Sequence, residues 1–456
     1  MLKCSLTTPN EQIAEFVRRF LDNPDWVRRR VETISFIDSL TTLRKTTLDI
    51  EMTTLLEAAG GGFFLPATPL VPLAVFSKDL LSNFDVRDHD GSVLSIVPRD
   101  IDSFFAWSFL CKEAARVLRL NIEDLSSDLS SHLYRISYSF PHNDDRIFEK
   151  IVRSWTPTEP WGSGTSEQWQ LLVSNEEFSR FLRDFTFNYI LIAQLSMTPT
   201  VQVIKYAYQL TPPLNGWTDS PLSGVTPLQF SFYAPSIGWE RSSHVQIHPP
   251  SELMVTKIAL VRRAAVDEPT ESTSDFYHVR FGNGYAQIQA AKDFKPANFS
   301  VVVLMRASIV GIVRAAWLST LMAATVLFLG GLFLHRLQQA VSDRGAESAV
   351  ALLLVVPTLI GAYLVAPAEH ALSSRILRPW RYIAAFSGLL TYVGGAALVL
   401  HWTGKRLEEI WWTITGVAIL DASILTLGVI LNLVDLHRNR TLVGRTIRVP
   451  VLDLPL

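Results

Sequence analysis

Four long apolar stretches follow Arg306, and together they demand a solvent other than water. They run from about Ala315 to Leu334, Ala349 to Pro367, Tyr382 to Trp402 and Ile410 to Leu436. Each holds about 19 residues or more, enough at about 1.5 Å per residue for about 30 Å of hydrocarbon. One such stretch alone is equally the buried helix of a soluble domain. Four in succession, joined by short charged links, point to a C-terminal four-helix transmembrane bundle with the lipid bilayer as its partner. Of 41 basic and 43 acidic residues in the chain, only 15 lie between Ala307 and Leu436. That depletion raises the mean hydropathy to +0.22.

The rest of the composition excludes other classes. Two cysteines, Cys4 and Cys111, are too few for a disulfide scaffold, and a net charge of -2 argues against a nucleic-acid binder. The opening residues lack the apolar core and cleavage site of a secretory signal, so the N-terminal part is expected in the cytosol. Basic residues near the span ends fix the expected orientation. Arg306, Arg314, Arg375, Arg378, Arg381, Arg438, Arg440, Arg445 and Arg448 fall on the side of the N-terminal part. Arg336, Arg344, Lys405 and Arg406 fall opposite. This predicts a multi-pass protein of the cell membrane with both termini cytosolic, and Arg375, Arg378, Arg381, Arg438 and Arg440 as candidate headgroup contacts. Trp380, Trp402, Trp411 and Trp412 sit where an aromatic belt would.

Asp421 lies deep in the fourth stretch, where an ionised carboxylate is costly. Steps of three or four residues join it to Leu425, Gly428, Asn432 and Asp435 on one helical stripe. That stripe must face other helices or water. Asp421, Asn432 and Asp435 therefore form the candidate intramembrane polar site, either supporting helix packing or an oligomer, or lining a pore. Thr358, Ser387 and Thr391 can satisfy themselves on their own helices. Gly394-Gly395 permits close helix approach.

The first 305 residues read as two cytosolic domains, a mixed α+β domain over 1–185 and an antiparallel β-sandwich-like, membrane-proximal domain over 186–305. The membrane domain covers 306–436, and 437–456 is a basic tail. Thr8-Pro9-Asn10-Glu11 starts a helix capped by Thr8, with Ile13, Phe16, Val17, Phe20 and Leu21 on one face. Arg28-Arg29-Arg30 reads as a solvated strand entry or a headgroup contact, and Val31 to Asp38 alternates as a strand. Asn83 to Pro98 reads as a hairpin around Asp88-His89-Asp90-Gly91. Helices are expected over Ser103–Leu118 (capped by Asp102 or Ser103), Asp124–Arg135, Asp144–Ser154 and Asn175–Phe185, with a loop over Trp155–Ser166. Short strands from Tyr189 to Leu304, separated by turn signals, suggest the sandwich.

Local catalytic signatures are absent from the sequence: it has no P-loop, dinucleotide fingerprint, nucleophile elbow or paired Cys-x-x-Cys. The Asp85, Asp88 and Asp90 group fails an EF-hand spacing, because Val86 and Val97 would occupy ligand positions. His244 and His248 share one strand face without a third ligand nearby. Cys111 reads as a core residue and Asn143 or Asp144 as a helix cap. No cofactor or metal is expected. The leading expectation is a membrane-tethered module whose cytosolic region binds a small ligand or cytosolic protein as a sensor or scaffold. The alternatives are an oligomeric channel-like or membrane-perturbing effector lined by the Asp421 stripe, and a membrane-bound enzyme with a dispersed site.

Overall fold

The computed structural model describes residues 8–22, 24–38, 41–58, 69–78, 82–138, 164–196, 200–210, 227–234, 237, 240–264, 276–282, 284–291, 299–342, 370–400, 405–442, 447–450 and 452–455. They form a mixed α and β fold with three β-sheets and a C-terminal helical region.

Helix α1 (Glu11–Asp22) starts from Asn10, whose Oδ1 accepts the Ile13 N–H at 3.1 Å. The cap thus lies two residues beyond the expected Thr8. Its stripe of Ile13, Phe16, Val17 and Phe20 is buried as the spacing predicts, and Phe16 stacks on Trp26 at 5.5 Å. The short α2 (Met52–Ala58) follows a strand. At the centre of this region α3 (Arg99–Leu118) is buried on nearly every side, so its apolar residues do not keep to one stripe. It begins four residues earlier than expected, after Pro98, and Asp102 lies in its first turns instead of capping it. Around it lie α4 (Ser127–Tyr138), α5 (Gly164–Ser174), α6 (Glu176–Phe187) and the antiparallel pair β3 (Leu70–Ser77) and β5 (Asn188–Gln194). Asn175 caps α6 by accepting the Phe178 N–H at 2.9 Å. Helix α5 begins at Gly164, inside the expected loop, and the helix expected over 144–154 lies outside the described residues.

The largest sheet has eight strands: β1 (Val27–Phe36), β2 (Thr42–Glu51), β4 (Ser82–Arg87), β6 (Val201–Leu210), β8 (Ser242–His248), β10 (Phe276–Gly282), β11 (Tyr285–Ala291) and β13 (Ile447–Pro450). Their order is β13-β10-β11-β8-β1-β2-β6-β4. Strands from both sides of residue 185 therefore share one sheet. β1 and β8 pair in parallel, Val31 opposite His244, while β2 and β6 pair antiparallel. A four-stranded sheet, order β14-β9-β12-β7, contains β7 (Leu228–Tyr233), β9 (Leu253–Ala264), β12 (Phe299–Ala307) and β14 (Leu452–Pro455). Residues 447–450 and 452–455, expected as part of a basic tail, are thus edge strands, one on each large sheet.

Alternation puts one face of the eight-stranded sheet inward, and that face carries two apolar cores. Leu48, Ile50, Ile204, Tyr206 and Tyr208 belong to the first, with α1 and α3. Ile34, Val245 and Ile247 belong to the second, with β7, β9 and β12. Between them the buried positions are ionic. Arg30 donates to Glu240 at 3.3 Å and to the Tyr206 hydroxyl at 3.0 Å, and Ser243 donates to Glu240 at 2.7 Å. Arg44 pairs with Glu32 and donates to the Tyr233 carbonyl at 2.7 Å. Of the triple arginine only Arg28 and Arg29 are solvated, pairing with Glu51 and Asp49; Arg30 is interior.

β12 runs almost directly into the helices. Gly311, at φ +81°, takes the left-handed backbone inside the π-helical turn Ile309–Val313 that turns the chain into α7 (Arg314–Leu332). Then come α8 (Leu334–Ser342), α9 (Ala371–Val399) and α10 (Lys405–Leu442). Val313, Ala316, Ile376, Trp380, Ala384, Leu425 and Val429 belong to the second β core, so one end of the helical region is built into the sheets. Farther out the helices pack on each other. The Trp411 indole donates to the Leu327 carbonyl at 2.8 Å, beside Gly330, Gly331 and Gly394. A Cβ on Gly330 would stand 2.5 Å from the Trp411 ring.

Two described helices are long and apolar enough to cross a membrane, Gly311–Leu332 and Lys405–Val434, where the sequence pattern predicts four spans. The expected second stretch, 349–367, lies outside the described residues. The third coincides with the outer part of α9, whose first turns carry Arg375, Arg378 and Arg381 and pack on the β core. Trp380 and Trp411 are buried packing residues, not members of an interfacial belt.

Arg44→Met leaves Glu32 buried beside a single distant guanidinium, and should cost about 3–5 kcal/mol in chemical denaturation. The double variant Glu32→Leu/Arg44→Met should recover most of that loss. Gly330→Ala should lower stability by about 1–3 kcal/mol. In a double-mutant cycle with Trp411→Phe the two losses should be less than additive, since both act on one contact.

Candidate functional site

The hairpin expected over Asn83 to Pro98 forms its turn and then diverts. Asp88 Oδ1 accepts the N–H groups of Asp90 at 3.0 Å and Ser92 at 2.9 Å, with Gly91 at φ +83°. The return arm touches β4 only at Arg87–Val93 and through the Leu94 N–H on Val86. It then crosses to β5, where the Val97 N–H donates to the Ile192 carbonyl. This places Ile96 and Val97 over the start of α3 and forms a half-open cavity of about 160 Å³. Lys78, Arg99, Asp102, Ser103, Ser137, Tyr189, Ile190 and Leu191 complete its wall.

Two ionisable side chains in this wall are buried. Lys78, 7% exposed, gives its ammonium protons to three backbone carbonyls: Ile136 at 3.2 Å, Ser137 at 2.8 Å and Phe185 at 2.8 Å. These belong to the last turns of α4 and α6, so one ammonium closes the negative ends of two helices. Burial pulls its pKa down to about 8, against the attraction of Asp102 and with the repulsion of Arg99. Asp102, 6% exposed, accepts the Ile190 N–H on Oδ1 at 2.9 Å. Burial pushes its pKa up to about 7, opposed by that hydrogen bond and by Lys78 and Arg99. Burial and then Asp102 raise that of Tyr189. Arg99 lies over the Tyr138 ring at 4.2 Å and donates to the Tyr138 carbonyl. Perturbed titrating groups around a concave, partly apolar cavity are a recognised mark of a binding or reactive site.

No local signal marked Lys78, which ends an apolar strand. Asp102 was visible only as a helix cap. What unites them is the diverted arm, a tertiary event.

The intramembrane candidates fall differently. Asp421 (9% exposed) accepts from Ser387 at 3.0 Å between α10 and α9, so Ser387 serves a neighbouring helix and not its own. Leu425 and Asn432 are fully buried on the same stripe, and the Asn432 amide has no hydrogen-bond partner among the described residues. Thr391 bonds its own helix at Gly388. The side chains of Asp435, Arg438 and Arg440 lie outside the described residues. Among the candidate headgroup contacts, Arg378 is exposed and donates to the Tyr382 hydroxyl at 2.8 Å, and Arg375 is half-buried. Arg381 is only 7% exposed and packs inside, so it does not present a free guanidinium to headgroups.

The metal and nucleophile candidates find structural employment. His244 uses both ring nitrogens, on Gln287 at 2.8 Å and Ser242 at 2.9 Å, and His248 stacks on Tyr285. The Asp88, His89 and Asp90 side chains cluster on the exposed turn, with one Asp88 oxygen already spent on backbone N–H groups. Cys111 is fully buried, and burial pushes its thiol up to about 12. The 141–145 segment lies outside the described residues. No family model matches the chain, and no curated protein matches it.

Because the pKa of Asp102 is raised on folding, the native state holds the extra proton between about pH 4 and pH 7. Stability attributable to this group falls as pH rises through that window, and the full cost of the buried charge stands above it. Asp102→Asn keeps the acceptor for Ile190 and removes the charge. It should stabilise the protein by about 2–4 kcal/mol at about pH 8 and by little at about pH 4, as read by denaturation at the two pH values.

Proposed function

We propose that this chain is a multi-pass membrane protein whose cytosolic region binds a small molecule in the Lys78–Asp102 cavity, as a membrane-tethered sensor. The observation that carries the binding half is the cavity itself, with its half-satisfied buried carboxylate.

The membrane half rests on surface and on chain geometry. Most exposed large apolar side chains among the described residues lie on the helical region, including Leu318, Phe328, Leu332, Phe386, Leu389, Leu420, Leu427 and Leu433. Water disfavours such a surface, and lipid tails suit it. The chain leaves the β region through β12 and returns to it through β13 and β14, which supports an even number of crossings between them. α7 leads outward to Gly330 and Gly331 beside Trp411 and Trp412. α9, in contrast, begins at the β region, where His370 contacts the Phe36 carbonyl at 3.0 Å and Ser373 donates to Glu252 at 2.8 Å. The sequence between α8 and α9 contains the apolar stretch Ala349–Pro367, whose length and composition suit a further crossing. A reading with four crossings fits these features, and the arginine distribution supports sheets on the cytosolic side.

The channel alternative gains less support. Asp421 is paired with Ser387 inside one chain, an arrangement that serves helix packing within the bundle.

The protein should resist alkaline carbonate extraction. Single cysteines at Ser82 and Arg448 should label from the cytosolic side only, and one at Lys405 from the opposite side only. Labelling of Arg448→Cys and Ser82→Cys from opposite faces would refute the even count of crossings.

A further inference from the structure

The cavity has an imbalance of spent and unspent hydrogen-bonding groups. Lys78 places its three N–H donors on carbonyls and keeps none for a ligand. Its charge is also offset, because the two helix ends it closes carry roughly half a negative charge each. Arg99 is laid over Tyr138 and bonded to that residue's carbonyl. Lys78 is therefore fully committed to the protein, and Arg99, at the exposed rim, is engaged by Tyr138. Asp102 is not so committed: Oδ1 takes the Ile190 N–H, while Oδ2 has no protein partner among the described residues. The hydroxyls of Ser103 and Tyr189 line the same space, and Ile96, Val97, Ile190 and Leu191 supply an apolar wall.

A buried carboxylate with an open oxygen is costly unless something donates to it, and a charged donor is worth more than a neutral one. At about 160 Å³ the space is close to that of a cavity able to hold one benzene-sized molecule. We infer that the ligand is a small primary amine with a short apolar body, its ammonium on Asp102 and its body against Ile96, Val97 and Leu191. This rests on the reading of the cavity as a ligand site and specifies what that site takes. Lys78, just after β3, Arg99 of α3 and Tyr189 of β5 are the titratable or charged groups in the wall that face Asp102, and Lys78 has no donor free to compete. Amine binding requires the ionised carboxylate, so affinity rises with pH through the neutral range and binding expels a proton from Asp102 below it.

The test uses the full-length protein in lipid nanodiscs and three probes of one shape: isobutylamine, isobutanol and isobutyrate. Calorimetry at about pH 8 should show the amine binding at least about tenfold tighter than either other probe, the preference shrinking to about threefold or less near pH 5.5. In buffers of different ionisation heat at about pH 6.5, amine binding to the unaltered protein should release protons. Asp102→Asn should lose about tenfold in amine affinity and keep its isobutanol affinity. Tighter binding of isobutyrate, equal binding of isobutanol, or amine binding without proton release would overturn the amine assignment and leave a ligand cavity in place. If none of the probes binds, and the plugging variant Val97→Trp gives the same blank result as the parent protein, the amine assignment and the cavity reading fail together.

Discussion

The packing of helix ends into the second β core governs the rest of the molecule. Trp380, Ile376 and Leu425 are as much part of that core as Val301 or Phe230. With Gly311 turning the chain just after β12, only Ser308 separates that strand from the turn that leads into α7. The sheets are held at a fixed height on the helices, and any layer the helices enter must begin where the core ends. This is why the arginines at the start of α9 divide as they do: Arg378 lies outside the packed surface and Arg381 beneath it.

The eight-stranded sheet adds a second constraint. One inward face serves two cores, and an apolar continuation between them would leave no preferred place for either layer to stop. The Arg30, Glu32, Arg44 and Glu240 cluster marks that border, because ionic groups find partners only in one register of β1, β2 and β8. Buried charge adds little net stability but penalises every misaligned alternative. Through this sheet the Lys78–Asp102 region and the helical region share one backbone framework, although they belong to different cores.

The sequence discloses what depends on local period and composition. The α1 stripe, the Asp88–Gly91 turn, the burial of Cys111 and the apolar helices were all readable, because each follows from spacing within a few turns. Two of the expected spans reappear as helices of sufficient length and apolarity; the third falls on the described helix α9, and the second lies outside the described residues. Pairing partners were not readable. The eight-stranded sheet joins strands more than 200 residues apart, and the parallel β1–β8 contact has no sequence signature. The same holds for the cavity. Asp102 looked like a cap because Asp before an apolar helix usually is one, and only the crossing of residues 93–97 to β5 turns it inward. Arg30 looked solvated within a triple arginine, since nothing local separates it from Arg28 and Arg29.

β13 and β14 are the last described residues of the chain, and each completes the edge of a different sheet. During synthesis the chain emerges from its N-terminus, so β9 and β10 wait with open edges until every helix has been made. These two sheets then gain their β13 and β14 edges only after the helices have been made, in an order set by the ribosome. A chain cut between α10 and β13 leaves the β9 and β10 edges unpaired, the kind of template that recruits other chains. β13 and β14 thus close two sheet edges that the earlier strands cannot close by themselves.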